Sequence, residues 1–166
     1  MIILPFVIAV ATVLMQTSAS AGSALPARNV PLELNLKALA EPLQDLTPAE
    51  REVVDETIQL IQQKQHALAL VNLTGLTASN PSNSALRVLR AYVLLELGNV
   101  TGALGDARIA EASGLRSAYR CWFLARVAYL AGNKPLCRRE IGHIASDPTY
   151  GPEATKLRRG METKLK

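Results

Sequence analysis

Aromatic residues are scarce in this chain of 166 residues, at 4% of the total, although apolar residues make up 49%. A β-sandwich would need the opposite bias, because its strands favour aromatic and β-branched side chains. Alanine and leucine supply most of the apolar residues here, and both favour helices that pack closely. The composition therefore predicts an all-α fold, and the length allows a single core.

Motifs of catalysis are also missing from the sequence. It contains no glycine-rich phosphate loop, no CxxC and no CxxCH pattern, and no hydrolase motif around either histidine. His66 and His143 have no sequence partners for acid–base work, so we expect them at the surface or at helix ends. We therefore expect no enzyme activity, no cofactor and no metal site.

Only two cysteines are present, Cys121 and Cys137. If the chain is exported, as the prediction of a signal peptide below indicates, two cysteines suggest a disulfide. In a helical hairpin that turns at Gly132, however, the two residues would lie about one helical turn apart along the axis, which exceeds easy bridging distance. The spacing therefore favours two buried thiols over a disulfide.

Charge is absent from residues 1–15, which are almost wholly apolar and are followed by a run of small polar residues. This layout is typical of a signal peptide, with Ala19 and Ala21 before a cleavage site at Gly22. Residues 1–21 are therefore predicted to be removed, leaving a periplasmic or secreted protein with no stable membrane insertion. Because no Lys or Arg precedes the apolar run, an uncleaved membrane anchor is the alternative.

Charge is unevenly divided over the rest of the chain. Residues 22–83 carry 4 basic and 7 acidic residues, whereas residues 84–166 carry 14 basic and 7 acidic. A basic half can attract acidic proteins, anionic lipid or nucleic acid, or it can simply be a solvated face. No nucleic-acid-binding motif accompanies it, so we expect no nucleic-acid partner.

A spacing of 34 residues recurs along the chain. Gly98-Asn99 is followed at this spacing by Gly132-Asn133. Four series of small or apolar residues share it: Ala91 and Ala125; Ala69, Ala103 and Cys137; Leu73, Ala107 and Ile141; and Leu76, Ala110 and Ile144. Several positions with one common period indicate a repeat architecture.

This pattern resembles that of the tetratricopeptide-repeat (TPR) family, whose unit is two antiparallel helices with small residues where they cross. The resemblance implies a helical-hairpin solenoid of about three units, at residues 50–83, 84–117 and 118–151. Thr47, Pro48 and Glu50 independently predict a helix start.

The TPR domain would extend over residues 47–166, and residues 152–166 would form its capping helix. Residues 22–46 are predicted to be a linker, with a short helix over residues 34–46 that breaks near Pro42.

Three positions depart from the family pattern. The first unit has Lys64 where the others have glycine, and Arg87 and Arg90 occupy positions that the third unit fills with apolar residues. A charge at a core position is costly unless it is paired. We expect Glu56, at the equivalent position of the neighbouring unit, to form an ion pair with Arg90.

In proteins similar to this one, the first helices of the units line a concave groove that receives a peptide or a helix. The resemblance places the following residues there: Val54, Ile58 and Ile61; Val88, Tyr92 and Leu95; and Tyr119, Trp122, Arg126 and Tyr129. Aromatic residues with a neighbouring arginine are typical of binding surfaces. The alternative is that this stripe packs against residues 24–46 or the C-terminal helix.

The sequence thus predicts an exported, non-enzymatic scaffold whose partner is another protein, presenting an apolar peptide or an amphipathic helix. By family analogy it would act in assembly of an envelope or secretion complex. A self-associating structural subunit, forming a homodimer through the same groove, is the alternative.

Overall fold

The computed structural model describes residues 32–113 and 117–162, and over these ranges the chain folds as eight α-helices without strands. Their bounds are α1 Leu36–Leu43, α2 Pro48–Gln62, α3 His66–Ser79, α4 Ser84–Glu96, α5 Val100–Ala112, α6 Ala118–Leu130, α7 Lys134–Ile144 and α8 Gly151–Glu162. The predicted all-α class is confirmed for this part of the chain. The predicted signal peptide at residues 1–21 lies outside the described residues.

The helices are arranged in successive pairs. Three-residue connections join α2 to α3, α4 to α5 and α6 to α7, and each helix from α2 onward packs against the next one. The starts of α3, α5 and α7 are separated by 34 residues, as are the starts of α4 and α6. α1 packs against α4 of the middle pair, and α8 packs against α7 at the end of the stack. The 34-residue spacing of the sequence is therefore also the spacing of the helix pairs.

Small side chains fill the places where helices lie closest. Ala69, Ala103 and Cys137 are fully buried, one on the second helix of each pair. Ala91 and Ala125 are fully buried on the first helices, and Thr57 is buried at the equivalent position of α2. The Thr57 hydroxyl donates a hydrogen bond to the Val53 carbonyl at 2.6 Å, which satisfies it inside the core. Small residues at these positions let the helix backbones approach closely.

The turn inside each pair has the same backbone geometry. Gly98 and Gly132 have φ angles of 80° and 71°, and Lys64 has a φ of 60° at the equivalent place. In the second pair, Gly98 N–H donates to the Leu95 carbonyl and Asn99 N–H donates to the Leu94 carbonyl. This is a Schellman motif, which satisfies carbonyls at a helix end through a left-handed residue. Gly98 and Gly132 therefore close α4 and α6, and the hairpin turn expected at Gly132 is present.

The residue after each turn begins the next helix. Asn99 accepts a hydrogen bond from Gly102 N–H, and Asn133 accepts one from Leu136 N–H. Gln65 makes no such bond in the first pair. The recurring Gly-Asn dipeptide therefore has two functions, because glycine closes one helix and asparagine caps the next. The capping box predicted at Thr47 and Glu50 is also present.

Charged residues lie in the core between the first and second pairs. Both oxygens of the buried Asp106 carboxylate accept from Arg90, at 2.6 and 2.7 Å, and Arg87 donates to the same carboxylate at 3.1 Å. The remaining Arg90 nitrogen donates to the Thr77 hydroxyl at 2.7 Å. The predicted Glu56–Arg90 ion pair is wrong. All three guanidinium nitrogens of Arg90 bond to Asp106 and Thr77, while Glu56 is exposed.

The two helices outside the pairs lie in different places: α1 packs against α4 of the middle pair, and α8 covers α7 at one end of the stack. Leu39 of α1 and Leu46 after it are buried in the core, and α1 ends one residue after Pro42. α8 buries Ala154, Leu157 and Met161, and it exposes Lys156, Arg158 and Arg159. A helix with one apolar and one basic face suits the end of a stack, where only one side has a neighbour.

Two glycines allow a direct test of the turn geometry. A Cβ atom added at either Gly75 or Gly98 would meet nothing within 4 Å, but only Gly98 has a positive φ. We expect Gly98→Ala to lower the free energy of unfolding by about 1 kcal/mol, because alanine is strained in the left-handed region. Gly75→Ala, inside α3, should raise it by about 0.5 kcal/mol. Urea unfolding followed by circular dichroism measures both, and equal effects would contradict the assigned turn.

The Asp106 contacts predict a large difference between two similar substitutions. Asp106→Asn should lower the free energy of unfolding by about 3 kcal/mol, because it leaves two largely buried guanidinium groups without their counter-ion. Glu111→Gln removes the carboxylate that Arg139 contacts at 2.6 Å, but Arg139 is 52% exposed. That change should cost less than about 1 kcal/mol. The same urea titration compares the two variants. If Asp106→Asn lowers the free energy of unfolding no more than Glu111→Gln does, the structural role of the buried cluster is refuted.

Candidate partner-binding groove

Two open cavities lie along the surfaces of α2, α4 and α6, and together they form what we call the groove. The first has a volume of about 720 Å³ and is lined on the helices by Tyr119, Trp122 and Glu153, with Tyr150 and Thr149 beside them. The second has a volume of about 430 Å³ and is lined by Ile58, Ile61, Gln62, Lys64, His66, Tyr92 and Glu96. Leu34 and Leu36 line both cavities, so the segment that contains them divides the groove.

Aromatic rings dominate the first cavity. The Tyr150 ring centroid lies 6.1 Å from that of Tyr119 and 6.3 Å from that of Trp122, and the Trp122 and Tyr150 rings are stacked at 25°. The guanidinium carbon of Arg126 lies 5.7 Å from the Trp122 ring centroid. A cation at that distance is attracted by the electron density of the ring face. The indole is therefore held between Arg126 and Tyr150, while part of it stays open to solvent.

The dividing segment, residues 32–36, is called the strap below. Its main chain bonds to a groove side chain: Asn35 N–H donates to the Tyr119 hydroxyl at 3.2 Å, and that hydroxyl donates to the Glu33 carbonyl at 3.5 Å. The Asn35 amide nitrogen also donates to the Tyr150 hydroxyl at 2.9 Å. The Asn35 side-chain oxygen accepts from Ala38 N–H and thereby caps α1. The strap thus lies across the groove as an extended peptide would.

Burial changes the acidity of two groups near these contacts. It raises the pKa of Tyr119 to about 12, so the phenol keeps its proton and can donate to the strap. It also raises the pKa of the Cys137 thiol to about 11, so this sulfur is protonated and a poor nucleophile at neutral pH. Cys121 and Cys137 are buried thiols with no disulfide between them, as the sequence spacing favoured.

Charges at the groove rim are few and of both signs. Glu153 bonds to Lys156 at 2.6 Å beside the first cavity, and Lys64 and Glu96 both line the second. Among residues 32–113 and 117–162, no three acidic, histidine or cysteine side chains are grouped so that they could hold a metal ion. The groove therefore offers aromatic and aliphatic contact with isolated polar groups, which suits a peptide better than an ion.

The ten residues predicted to bind a partner divide into two sets. Five line the cavities: Ile58, Ile61, Tyr92, Tyr119 and Trp122. Of the others, Val54 and Arg126 are buried, whereas Leu95 and Tyr129 are partly exposed outside both cavities. Arg126 acts through Trp122, whose ring it covers. Half of the predicted residues therefore line the groove that the structure forms.

The prediction that Val88 and Tyr129 face the groove is corrected by the structure. Val88 is 1% exposed and lines a small internal cavity with Ala107 and Phe123, so its side chain points toward α5 and α6. The Tyr129 hydroxyl lies 3.4 Å from the place where a Cβ atom at Gly160 would be, so this ring packs against α8. Both residues contribute to internal packing, and the packing of Tyr129 is the alternative involving the C-terminal helix that the sequence left open.

Packing of the stripe against residues 24–46 was the alternative that the sequence offered, and the strap lies within that segment and bonds to Tyr119 of the stripe. Sequence reasoning missed which residues of the segment reach the groove, and it missed Tyr150. Leucines alternate with polar residues at positions 32, 34 and 36, and this period of two indicates an extended segment with one apolar face. That pattern was available within the region predicted to be a linker. Tyr150 lies in the connection before α8, where the repeat no longer constrains the position of a side chain. Only its contacts with Tyr119, Trp122 and Asn35 reveal its place in the groove.

The raised pKa of Tyr119 predicts a loss of stability in alkali. Above the ordinary tyrosine value of 10, the unfolded chain releases the phenol proton and the folded chain keeps it until about pH 12. Unfolding is then favoured by about 1.4 kcal/mol for each pH unit between these values.

Comparison of the wild type with Tyr119→Phe separates this effect from lysine titration. The free energy of unfolding is measured in urea at several pH values for both proteins. Between pH 10 and pH 12 it should fall more steeply for the wild type than for Tyr119→Phe. Parallel curves over that range would contradict a buried, protonated phenol.

Comparisons with protein-family models, with curated proteins and with solved structures found no match to the chain. In the part that the structure describes, no helix combines the length and the apolar composition needed to cross a bilayer. The groove and the 34-residue repeat are therefore the features of the molecule that bear on its function.

Proposed function

We propose that the chain is an exported TPR-type scaffold that binds a peptide segment of another protein in the groove, without catalytic activity. The observation that carries this proposal is the groove itself. Its two cavities lie side by side along the first helices of three successive pairs, and an extended segment of the chain already crosses them. A concave face lined by equivalent helices is how stacked helical repeats bind extended partners.

Three features support the TPR-type assignment. Helix starts recur every 34 residues, small side chains occupy the crossings, and the turns share one left-handed geometry. These features follow from residues that recur at the same period in the sequence, such as Ala69, Ala103 and Cys137. Export is proposed from the apolar residues 1–15 and the small residues after them, and determining the mature N-terminus tests it.

The size and lining of the groove favour a peptide as the ligand. Trp122, Tyr150 and Tyr92 are partly exposed and provide apolar surfaces with hydroxyl or indole N–H groups at their edges, and such residues dominate binding energy at interfaces. A homodimer through the same groove is less well supported. The strap already fills the middle of the groove in each copy, which leaves two separate cavities and no continuous surface for isologous contact.

Crosslinking in cells followed by mass spectrometry tests the proposal. Wild type is compared with a groove variant, Tyr92→Ala with Trp122→Ala, and with a control variant, Leu68→Ala with Val71→Ala. The control residues are 56% and 68% exposed on α3 and line neither cavity. We expect one defined protein to be captured by the wild type and by the control, and to be reduced at least tenfold with the groove variant.

Two measurements complete this experiment. Circular dichroism must show that the groove variant keeps the helical content of the wild type, since Trp122 also packs against Tyr150. Light scattering over a range of concentrations shows whether the captured protein is a second copy of the chain. Equal capture by all three proteins would place the binding surface elsewhere, for example on the basic face of α8, and would refute the groove as the working site.

A further inference from the structure

The strap occupies the centre of the groove in the manner of a ligand. Leu34 and Leu36 form part of the wall of both cavities, so the two cavities would merge into one if residues 32–36 moved away. The merged groove would extend along α2, α4 and α6 without interruption. No other described segment lines both cavities.

The bonds that hold the strap are of a kind that another peptide can make. The Tyr119 hydroxyl accepts from a main-chain N–H and donates to a main-chain carbonyl, so neither bond depends on the side chains of the strap. Only the bond to the Tyr150 hydroxyl depends on the identity of a strap residue, because it is donated by the side-chain amide of Asn35. Main-chain bonds supply affinity for an extended segment, and side-chain pockets on alternate residues supply specificity.

The strap is held less firmly than the helix that follows it. Leu32, Leu34 and Leu36 are only partly buried, whereas Leu39 of α1 is 1% exposed. The far end of α1 is fixed by Asn83, whose amide nitrogen donates to the Pro42 carbonyl at 2.6 Å. Residues 32–35 are not helical and Leu36 is the first residue of α1, so the strap can leave the groove by unwinding the start of α1 while Leu39 remains buried in the core.

We propose that the strap is an internal ligand of the groove, and that the partner is an extended segment of the same chemistry that displaces it. This inference rests on the proposed function. The segment would carry two leucine-like side chains two residues apart with an asparagine between them, in the arrangement of Leu34, Asn35 and Leu36. The strap then weakens the apparent affinity of the groove for a partner, because the partner must compete with a tethered segment whose effective concentration is of the order of millimolar.

The test uses the capped pentapeptide acetyl-Leu-Glu-Leu-Asn-Leu-amide as the probe and Trp122 as the reporter. Trp122 is the one tryptophan of the chain and lines the first cavity, so its fluorescence responds to occupancy there. The full chain is titrated as the wild type, as a strap variant with Leu34→Ser and Leu36→Ser, and as a control with Leu68→Ser and Leu97→Ser. The control residues are 56% and 46% exposed and lie outside the groove.

We expect the strap variant to bind the peptide at least tenfold more tightly than the wild type, and the control to match the wild type. A peptide with serine in place of each leucine should bind at least tenfold more weakly to the strap variant. Equal affinity of the three proteins for the leucine peptide would overturn the inference. So would tight binding of an amphipathic helical peptide by a strap variant that does not bind the pentapeptide.

Hydrogen exchange on the wild type gives a second measurement that needs no substitution. The Asn35 N–H, which bonds to Tyr119, should exchange at least tenfold faster at saturating peptide than in the free protein. Peptide binding with unchanged exchange at Asn35 would mean that the strap stays in place, and this would overturn the inference.

These outcomes are separable from the fate of the proposed function. If crosslinking captures a partner that depends on Tyr92 and Trp122, and the strap variant captures no more of it than the wild type does, the groove binds proteins but the strap does not compete. If no partner is captured, the proposed function fails, whatever the affinity for the pentapeptide.

Discussion

The arrangement of the helices depends on the carboxylate of Asp106. It lies on α5, is 3% exposed, and accepts from two arginines of α4, one of which also donates to Thr77 of α3. These contacts join the second helix of the first pair to both helices of the second pair. α4 in turn carries Tyr92 and packs against α1, which positions the strap. The groove is therefore built on a buried charge cluster, where removal of one partner leaves the other charges buried without compensation.

The third pair also has a buried carboxylate at the position equivalent to Asp106, but a different arginine pairs with it. Glu140 occupies the position of Asp106 and is 2% exposed, but Cys121 and Leu124 replace the two arginines. Its carboxylate accepts instead from the neighbouring Arg139, which also contacts Glu111 of α5. The second and third pairs thus keep the buried acid at this position and change the source of the cation. The two interfaces between pairs consequently have different chemistry although their backbones are alike.

The parts of the fold that could be predicted from the sequence are local. Gly98, Gly132 and Thr47 act through bonds to residues within five positions of them, so their roles follow from residue type and spacing. The buried alanine series was predictable because a repeat shows the same position several times. Arg90 was recognised as a charge in a core position, but its partner lies 16 residues away on another helix. A repeat alignment indicates equivalent residues, and these are not necessarily residues in contact.

The groove was less predictable for a related reason. Family resemblance places a stripe on the first helices, but Val88 is buried where Trp122, at the equivalent position, lines the cavity. The strap comes from outside the repeat and is 84 residues from Tyr119, to which it bonds. Contacts at such separation depend on the finished arrangement of helices. A local pattern can indicate that residues 32–36 are extended with one apolar face, but it cannot indicate which side chains they contact.

The position of Trp122 has a consequence for measurements of unfolding. A stack in which each pair contacts only its neighbours need not unfold in one step, because an end can fray while the middle stays ordered. Trp122 lies in the third pair beside Tyr150, so its emission follows that end of the stack, whereas circular dichroism averages over every helix. A fluorescence midpoint below the dichroism midpoint would therefore report loosening near α8, and a single two-state fit to either signal would misstate the cooperativity of the chain.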